Sequence, residues 1–426
     1  MKRKKLHYGW IVIFAGLLTA IAAHGFGRMS YTIILPAMKD GLQLNYTQLG
    51  LLGTGNFIGY LTMTIIGGIL AARFGTRIVI ALALVLMGIT MFLTGLSKSF
   101  GFAFFMRLLT GFGNGACFVP AMALGSAWFT MKRRGFATGI ISSGIGIGTL
   151  ISGLVVPPIL TAFDQNGWRF SWYILGVAVL FISGIVYAFV RSRPEEKGLQ
   201  PVGAEEMKIE PTAFSDTKEA PSLQWVGVIK MSSIWYLGLI YFFYGLSYII
   251  YMVFFAAYLV KDIGFTPEAA GGLWALVGGL SIFCGVIWGG ISDQLGRSKG
   301  AALAYLFLGL SYIIYALIKI KFGIYLSAVI FGLTAWSIPT IMAAAAGDFV
   351  GPRLAPAGLG FITLFFGVGQ AVGPALGGFL ADMSHSFAIP FLTAGGISLI
   401  GMILSFFLKN PNQRISTGGS YSLSLQ

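Results

Sequence analysis

Twelve apolar runs, each long enough to cross a bilayer, dominate this chain and leave room for few folds. They fall near 8–35, 44–70, 78–96, 102–129, 136–161 and 170–191, and again near 232–259, 267–291, 299–318, 323–347, 356–381 and 387–408. Crossing the hydrocarbon takes about 20 helical residues, because lipid offers the backbone no hydrogen-bond partner. Only 10% of the 426 residues are charged, against about 25% in a soluble domain. The expected fold is therefore an all-α membrane protein with twelve transmembrane helices. The basic start from Lys2 to Lys5 resembles a signal peptide, but the run behind it is too long and lacks a small-residue cleavage site before Arg28. An uncleaved first span is expected.

The net charge of +14 would suggest nucleic acid in a soluble chain. Here its placement matters more, because cytoplasmic loops collect Lys and Arg. With the N-terminus inside, the outer loops hold Lys39, Lys98, Arg169, Lys261, Lys319 and Lys321, while Arg28 and Arg107 sit within spans. The other 20 of the 28 basic residues fall inside, and 14 remain there when the linker is left out. Both termini are expected in the cytoplasm of a bacterial-type inner membrane. The two cysteines, Cys117 and Cys284, lie far apart in apolar runs, so neither a disulfide nor a metal site is expected.

The two sets of spans repeat. Lys39-Asp40-Gly41 matches Lys261-Asp262-Ile263-Gly264, Gly75 matches Gly296, Val119-Pro120 matches Ile338-Pro339, and Gly139 matches Gly358. The offsets stay between 219 and 222. This predicts two pseudo-symmetric six-helix bundles, 1–191 and 231–410, with a site between them, an architecture of transporters. The polar stretch 192–230 reads as a cytoplasmic linker, with room for an amphipathic helix on the membrane, and 411–426 as a cytoplasmic tail.

At these motifs the chain resembles the major facilitator superfamily over nearly its whole length. Gly68-Ile-Leu-Ala-Ala-Arg73-Phe-Gly75-Thr-Arg77 is similar to that superfamily's first cytoplasmic-loop motif, with Ala72 where an aspartate is usual. The second copy keeps the acid, in Gly289-Gly-Ile-Ser-Asp293-Gln-Leu-Gly296-Arg297. The resemblance implies gating structure in both loops and leaves open how the first is latched. Arg107-Leu-Leu-Thr-Gly111 in span 4 is similar to the family's second motif, which implies a structural arginine and glycine. His7-Tyr8-Gly9-Trp10 and the glycines of span 5 (Gly144, Gly146, Gly148, Gly153, then Pro157-Pro158) resemble bacterial carriers of the monocarboxylate and oxalate–formate type. That implies small organic-acid anions as substrates. Span 5 is also partly similar to the glycine–proline motif of drug/proton antiporters, without its Gly-Pro step.

Arg28 is the candidate centre. A cation at membrane depth costs about 2.5–3.5 kcal/mol on insertion scales and normally faces a cavity or a partner. His24, Arg28 and Tyr31 at i, i+4 and i+7 share one face of a regular helix. Imidazole, guanidinium and phenol together suit a carboxylate, which Arg binds bidentately. The alternative for Arg28 is snorkelling to the interface, and for His24 simple packing. Asn56, Asn114 and Cys117 are expected to face the cavity or another helix. Tyr241, Tyr244, Tyr248 and Tyr251 form a stripe on span 7, expected to face Arg28, although interhelical packing accounts for such a stripe equally well. Trp336 and Gln370 are further binding candidates.

No Asp or Glu falls mid-span, which disfavours cationic substrates and leaves His24 as the nearest proton carrier, its ordinary pKa being about 6.5. Nothing points to an enzyme, a cofactor or a nucleic acid. The expectation is a monomeric secondary transporter of a small organic anion, coupled to protons or to a counter-anion. An exporter of hydrophobic drugs or neutral solutes, and a nontransporting membrane sensor, are the alternatives.

Overall fold

The structure, a computed structural model, describes residues 7–130, 133–204, 227–351 and 354–408. The expected C-terminal tail and most of the linker lie outside the described residues. The spans are Tyr8–Leu42, Tyr46–Phe74, Thr76–Gly95, Phe100–Trp128, Arg134–Ala162 and Gly167–Phe189, then Ser232–Lys261, Pro267–Leu295, Arg297–Leu317, Lys321–Val350, Ala355–Ser384 and Ala388–Phe406. Eleven are long and apolar enough to cross a membrane, and span 2 makes the twelfth with a bend of 43° between Thr64 and Ile66.

Local chemistry sets the ends. Asn45 and Gln48 form a reciprocal capping box at the start of span 2, satisfying two N–H groups that the first turn leaves free. Thr266 caps span 8 ahead of Pro267. Gly75 and Gly296, matched in the repeat, have φ of +87° and +86° and turn the chain between spans 2 and 3 and between spans 8 and 9. Only glycine takes that backbone without strain.

Spans 1–6 pack on one another, as do spans 7–12, and the two groups meet through spans 2 with 11, 5 with 8, and 1 with 7. The side where span 1 begins and span 12 ends is the near side, and the opposite side the far side. Hydrogen bonds between the groups cluster in the far half. Thr32 donates to Met252 O at 2.7 Å and Thr54 to Ala371 O at 2.6 Å. At the far rim Asp382 accepts from the backbone N–H of Tyr46 and Thr47 and from the Thr47 hydroxyl, capping span 2 from the other group. Lys261 pairs with Asp40 at 2.6 Å, and Thr161 bonds Glu268.

Two helices depart from regular geometry near mid-depth. Residues Ile21–Met29 of span 1 form a π-helix. Gly25 and Gly27 lower the helical preference there, and span 4 binds the widened turns, Asn114 Nδ2 to Ala23 O at 2.7 Å and Arg107 Nη1 to Gly27 O at 2.9 Å. Span 10 breaks at Ala335–Trp336. Pro339 has no N–H for Ala335 O, and the Tyr244 hydroxyl bonds that carbonyl instead.

Candidate functional site

The π-helix re-aims the three side chains expected on one face. A wider turn moves residues out of the 3.6-residue register. His24 packs against the Phe118 ring at 4.1 Å and the Tyr60 ring at 5.8 Å, with Nδ1 buried and unpartnered. The Arg28 Cζ lies 4.3 Å from the ring centroids of both Phe57 and Tyr60. Its Nε and Nη2 are buried without a hydrogen-bond acceptor. Arg28 is therefore not snorkelling. Tyr31 diverges: its hydroxyl donates to Leu49 O at 2.8 Å and its ring lies 4.7 Å from the Arg107 Cζ. His24 and Arg28 share Tyr60, whereas Tyr31 is committed to holding spans 1, 2 and 4.

Arg107 is buried at the same depth as Arg28. Besides Gly27 O it meets Trp172, and with Arg28, Tyr31, Thr32 and Asn56 it lines a void of about 10 Å³ on the far side of Arg28. That space admits about one water. Asn56 donates to Arg107 O at 3.2 Å, and Asn114 to the π segment, so of the two expected settings, cavity or another helix, both amides take the helix contact, each with its Oδ1 unpartnered. Cys117 bonds back to Asn114 O. Gly111 permits the crossing of spans 2 and 4, since a methyl there would stand 2.1 Å from Asn56 O.

The span 7 tyrosines separate. Tyr241, Tyr244 and Tyr248 stack on one another and on Phe366. Of the four, Tyr248 interacts electrostatically with Arg28. Gln370 Nε2 donates to the Tyr248 hydroxyl, with Oε1 left unpartnered, and Trp336 meets the Tyr248 ring edge-on at 6.0 Å. Tyr251 points away, bonded to Ser327 at 2.8 Å among Tyr312, Tyr315 and Phe331. The stripe as a whole does not face Arg28, because Tyr244 and Tyr251 are bonded to span 10 and Tyr241 is stacked on Phe366 of span 11. The site is a layer: Arg28 and His24 from span 1, Phe57 and Tyr60 from span 2, Phe118 from span 4, Tyr248, Gln370 and Trp336 from the other group. Phe57, Tyr60 and Phe118 were silent in the sequence, where aromatic residues in apolar helices are commonplace.

The loop motifs lie on the near side. Arg297 pairs with Asp293 at 2.6 Å and with Asp348 at 2.8 Å. In the first copy, lacking the acid, Arg77 instead donates to Tyr187 O at 2.7 Å and sits over the Tyr187 ring. Arg73 rests over Phe74, and methyl groups at Gly68 would meet open space, at Gly289 only Thr340 in ordinary contact. A separate cavity of about 380 Å³ opens at the far rim between spans 1, 5, 7 and 8, lined by Asp40, Lys261, Thr161 and Glu268 among others.

Two helix groups meeting around a charged mid-depth layer define a membrane transporter. The chain belongs to the Major Facilitator Superfamily, whose family model matches residues 17–338 and 237–420. It is 27% identical over 405 residues to a probable sulfoacetate transporter of Cupriavidus necator, covering 90% of each chain. It is 24% identical to the hexuronate transporter of Bacillus subtilis, covering 90% of this chain and 91% of that one. A bacterial homolog of the human lysosomal transporter Spinster, solved inward-facing and occupied, superposes with a TM-score of 0.75 at 16% identity, covering 97% and 98%. These proteins are transporters, not enzymes.

Proposed function

We propose that the protein moves a small organic anion, a mono- or dicarboxylate or a similar acid, across a bacterial-type inner membrane by alternating access. The observation that carries this is Arg28: a buried guanidinium with two unanswered N–H positions and, among the described residues, no acidic side chain at its depth. A carboxylate satisfies both positions at once, and a charge-assisted pair excluded from water is the strong kind. Sulfoacetate and hexuronate, named for two relatives, are organic acids of this sort. Tyr248 and Gln370 supply polar groups from the opposite bundle, while Tyr60, Phe118 and Trp336 form half-buried apolar walls.

The basic excess supports a near side, with both termini, that faces the cytoplasm. The far-rim contacts then close the periplasmic end, and the loop motifs around Arg77 and Arg297 act in gating the cytoplasmic one. With only a water-sized void on the far side of Arg28, a substrate reaches the guanidinium from the near side past Tyr60 and Trp336.

Replacing Arg28 tests the reading. Arg28→Ala in purified protein is expected to weaken binding of the cognate acid by about 10- to 100-fold, the range of a lost charged hydrogen bond of about 1.5–3 kcal/mol. Arg28→Lys keeps the charge but loses the planar fork and is expected to fall between. Wild-type affinity in the Arg28→Ala protein defeats the assignment.

A further inference from the structure

Two guanidinium groups are buried side by side, and each keeps N–H groups that no acceptor answers. Arg107 is 1% exposed and Arg28 7%. Arg107 Nη1 donates to Gly27 O at 2.9 Å, and the group lies over Tyr31 and Trp172, yet its Nε is unpartnered. Arg28 has the rings of Phe57 and Tyr60 against it, with Nε and Nη2 unpartnered. The two groups act on one another electrostatically, as like charges. Both line the void of about 10 Å³ beside Tyr31, Thr32 and Asn56.

We infer that this void is a binding site for a single chloride ion, held between Arg28 and Arg107. Among the described residues no carboxylate reaches this depth. Asp40, Glu268 and Asp382 are engaged at the far rim, and Asp293 and Asp348 pair with Arg297 on the near side. The neighbouring hydroxyls are committed, Tyr31 to Leu49 O and Thr32 to Met252 O. Buried charges without a partner are strongly disfavoured, and each orphaned donor adds the cost of its lost water.

Size and charge together select the occupant. A carboxylate brings the charge but exceeds a space that admits about one water. Water fits, and the unpartnered Asn56 Oδ1 on the same wall would accept its proton, which makes water the rival. Against that one acceptor stand three orphaned nitrogens, Arg28 Nε and Nη2 and Arg107 Nε, and two positive charges that water leaves unchanged. Chloride is only slightly larger than water and accepts N–H bonds from several directions. Met29 and Met252 line the void, and thioethers are polarizable and adaptable enough to yield to it. The site goes beyond the reading of Arg28 as an acid anchor. A guanidinium has more N–H donors than one carboxylate takes, so Arg28 can hold an acid from the near side and share the halide with Arg107.

Crystals grown with bromide in place of chloride, without any organic acid, test the site directly. An anomalous-scattering peak is expected in the void, within hydrogen-bond reach of both guanidinium groups. Asn56→Asp brings a fixed carboxylate to the same wall and is expected to abolish that peak. Exchanging sulfate, too large for the void, for chloride at fixed ionic strength gives a second readout. It is expected to raise the wild-type Tm over that of Asn56→Asp by about 2 °C, the scale of a ligand at several times its Kd. Water density without bromide in the wild type overturns the inference, and that map stands alone if the variant does not fold. A peak undiminished in Asn56→Asp, marking an adventitious ion only, or an identical Tm response of the two proteins also overturns it. A missing halide leaves Arg28 as the acid anchor, and unchanged acid affinity in Arg28→Ala leaves the bromide map standing.

Discussion

The Arg28 guanidinium owes its position to the faces of two rings. With Cζ 4.3 Å from both Phe57 and Tyr60, its flat surface is occupied, and its N–H edge is left for a ligand. Such contacts are worth roughly 0.5–2 kcal/mol each, the upper end when desolvated. Tyr60→Leu is accordingly expected to weaken acid binding by roughly 2- to 30-fold with the protein still folded, as read by calorimetry; an unchanged affinity means that the ring is merely a wall. The sequence singled out Arg28 by its cost in an apolar run, and no charge pattern could have named Phe57 or Tyr60. It also paired Tyr31 with Arg28 on the assumption of 3.6 residues per turn. The π-helix over Ile21–Met29 breaks that register, and its cause lies in span 4, some 80 residues away.

At the scale of elements, span 5 carries its glycines on two faces. Gly144 and Gly148 meet span 1, where a methyl at Gly25 would stand 2.4 Å from the Gly148 backbone; Gly146 and Gly153 meet Gly278 and Gly271 of span 8. Spacing of four within one pair and seven within the other makes both faces readable from sequence. The partners were not readable, since small residues mark a close contact without naming what fills it. Span 2 meets span 11 similarly, with a methyl at Gly50 falling 2.1 Å from Pro374 O. Gly50→Ala is expected to pry the far rim apart. Spin labels on the far ends of spans 2 and 11 are expected to shift to longer distances than in the wild type; an unaltered distribution refutes this.

For the whole molecule, twelve apolar runs and a repeat offset near 221 made the two-bundle fold legible before any side chain was placed. The repeat extends to contacts that no motif announced. Asp382 caps span 2 at the same rim position where, in the other half, Thr161 meets Glu268. Arg28 itself breaks the symmetry, its counterpart Ile250 packing against Gly377, so the charged layer is lopsided. Orientation rests on the distribution of Lys and Arg, and the two buried cysteines give a quiet background for its test. Gln165→Cys, in the exposed far loop, is expected to react with an impermeant maleimide in intact cells. Lys197→Cys is expected to react only after permeabilisation; the reverse pattern inverts the topology.

The contact between spans 5 and 8 has a mechanical consequence. Where Gly146 faces Gly278 and Gly153 faces Gly271, backbone lies on backbone, with Thr149, Pro157, Ser281 and Ile282 the side chains beside it. Such a surface behaves as a shallow bearing: one bundle can tilt over the other with few side chains to slide past. Resistance to the rocking motion is then concentrated at the far rim, in the grip of Asp382 on Thr47, of Lys261 on Asp40 and of Glu268 on Thr161.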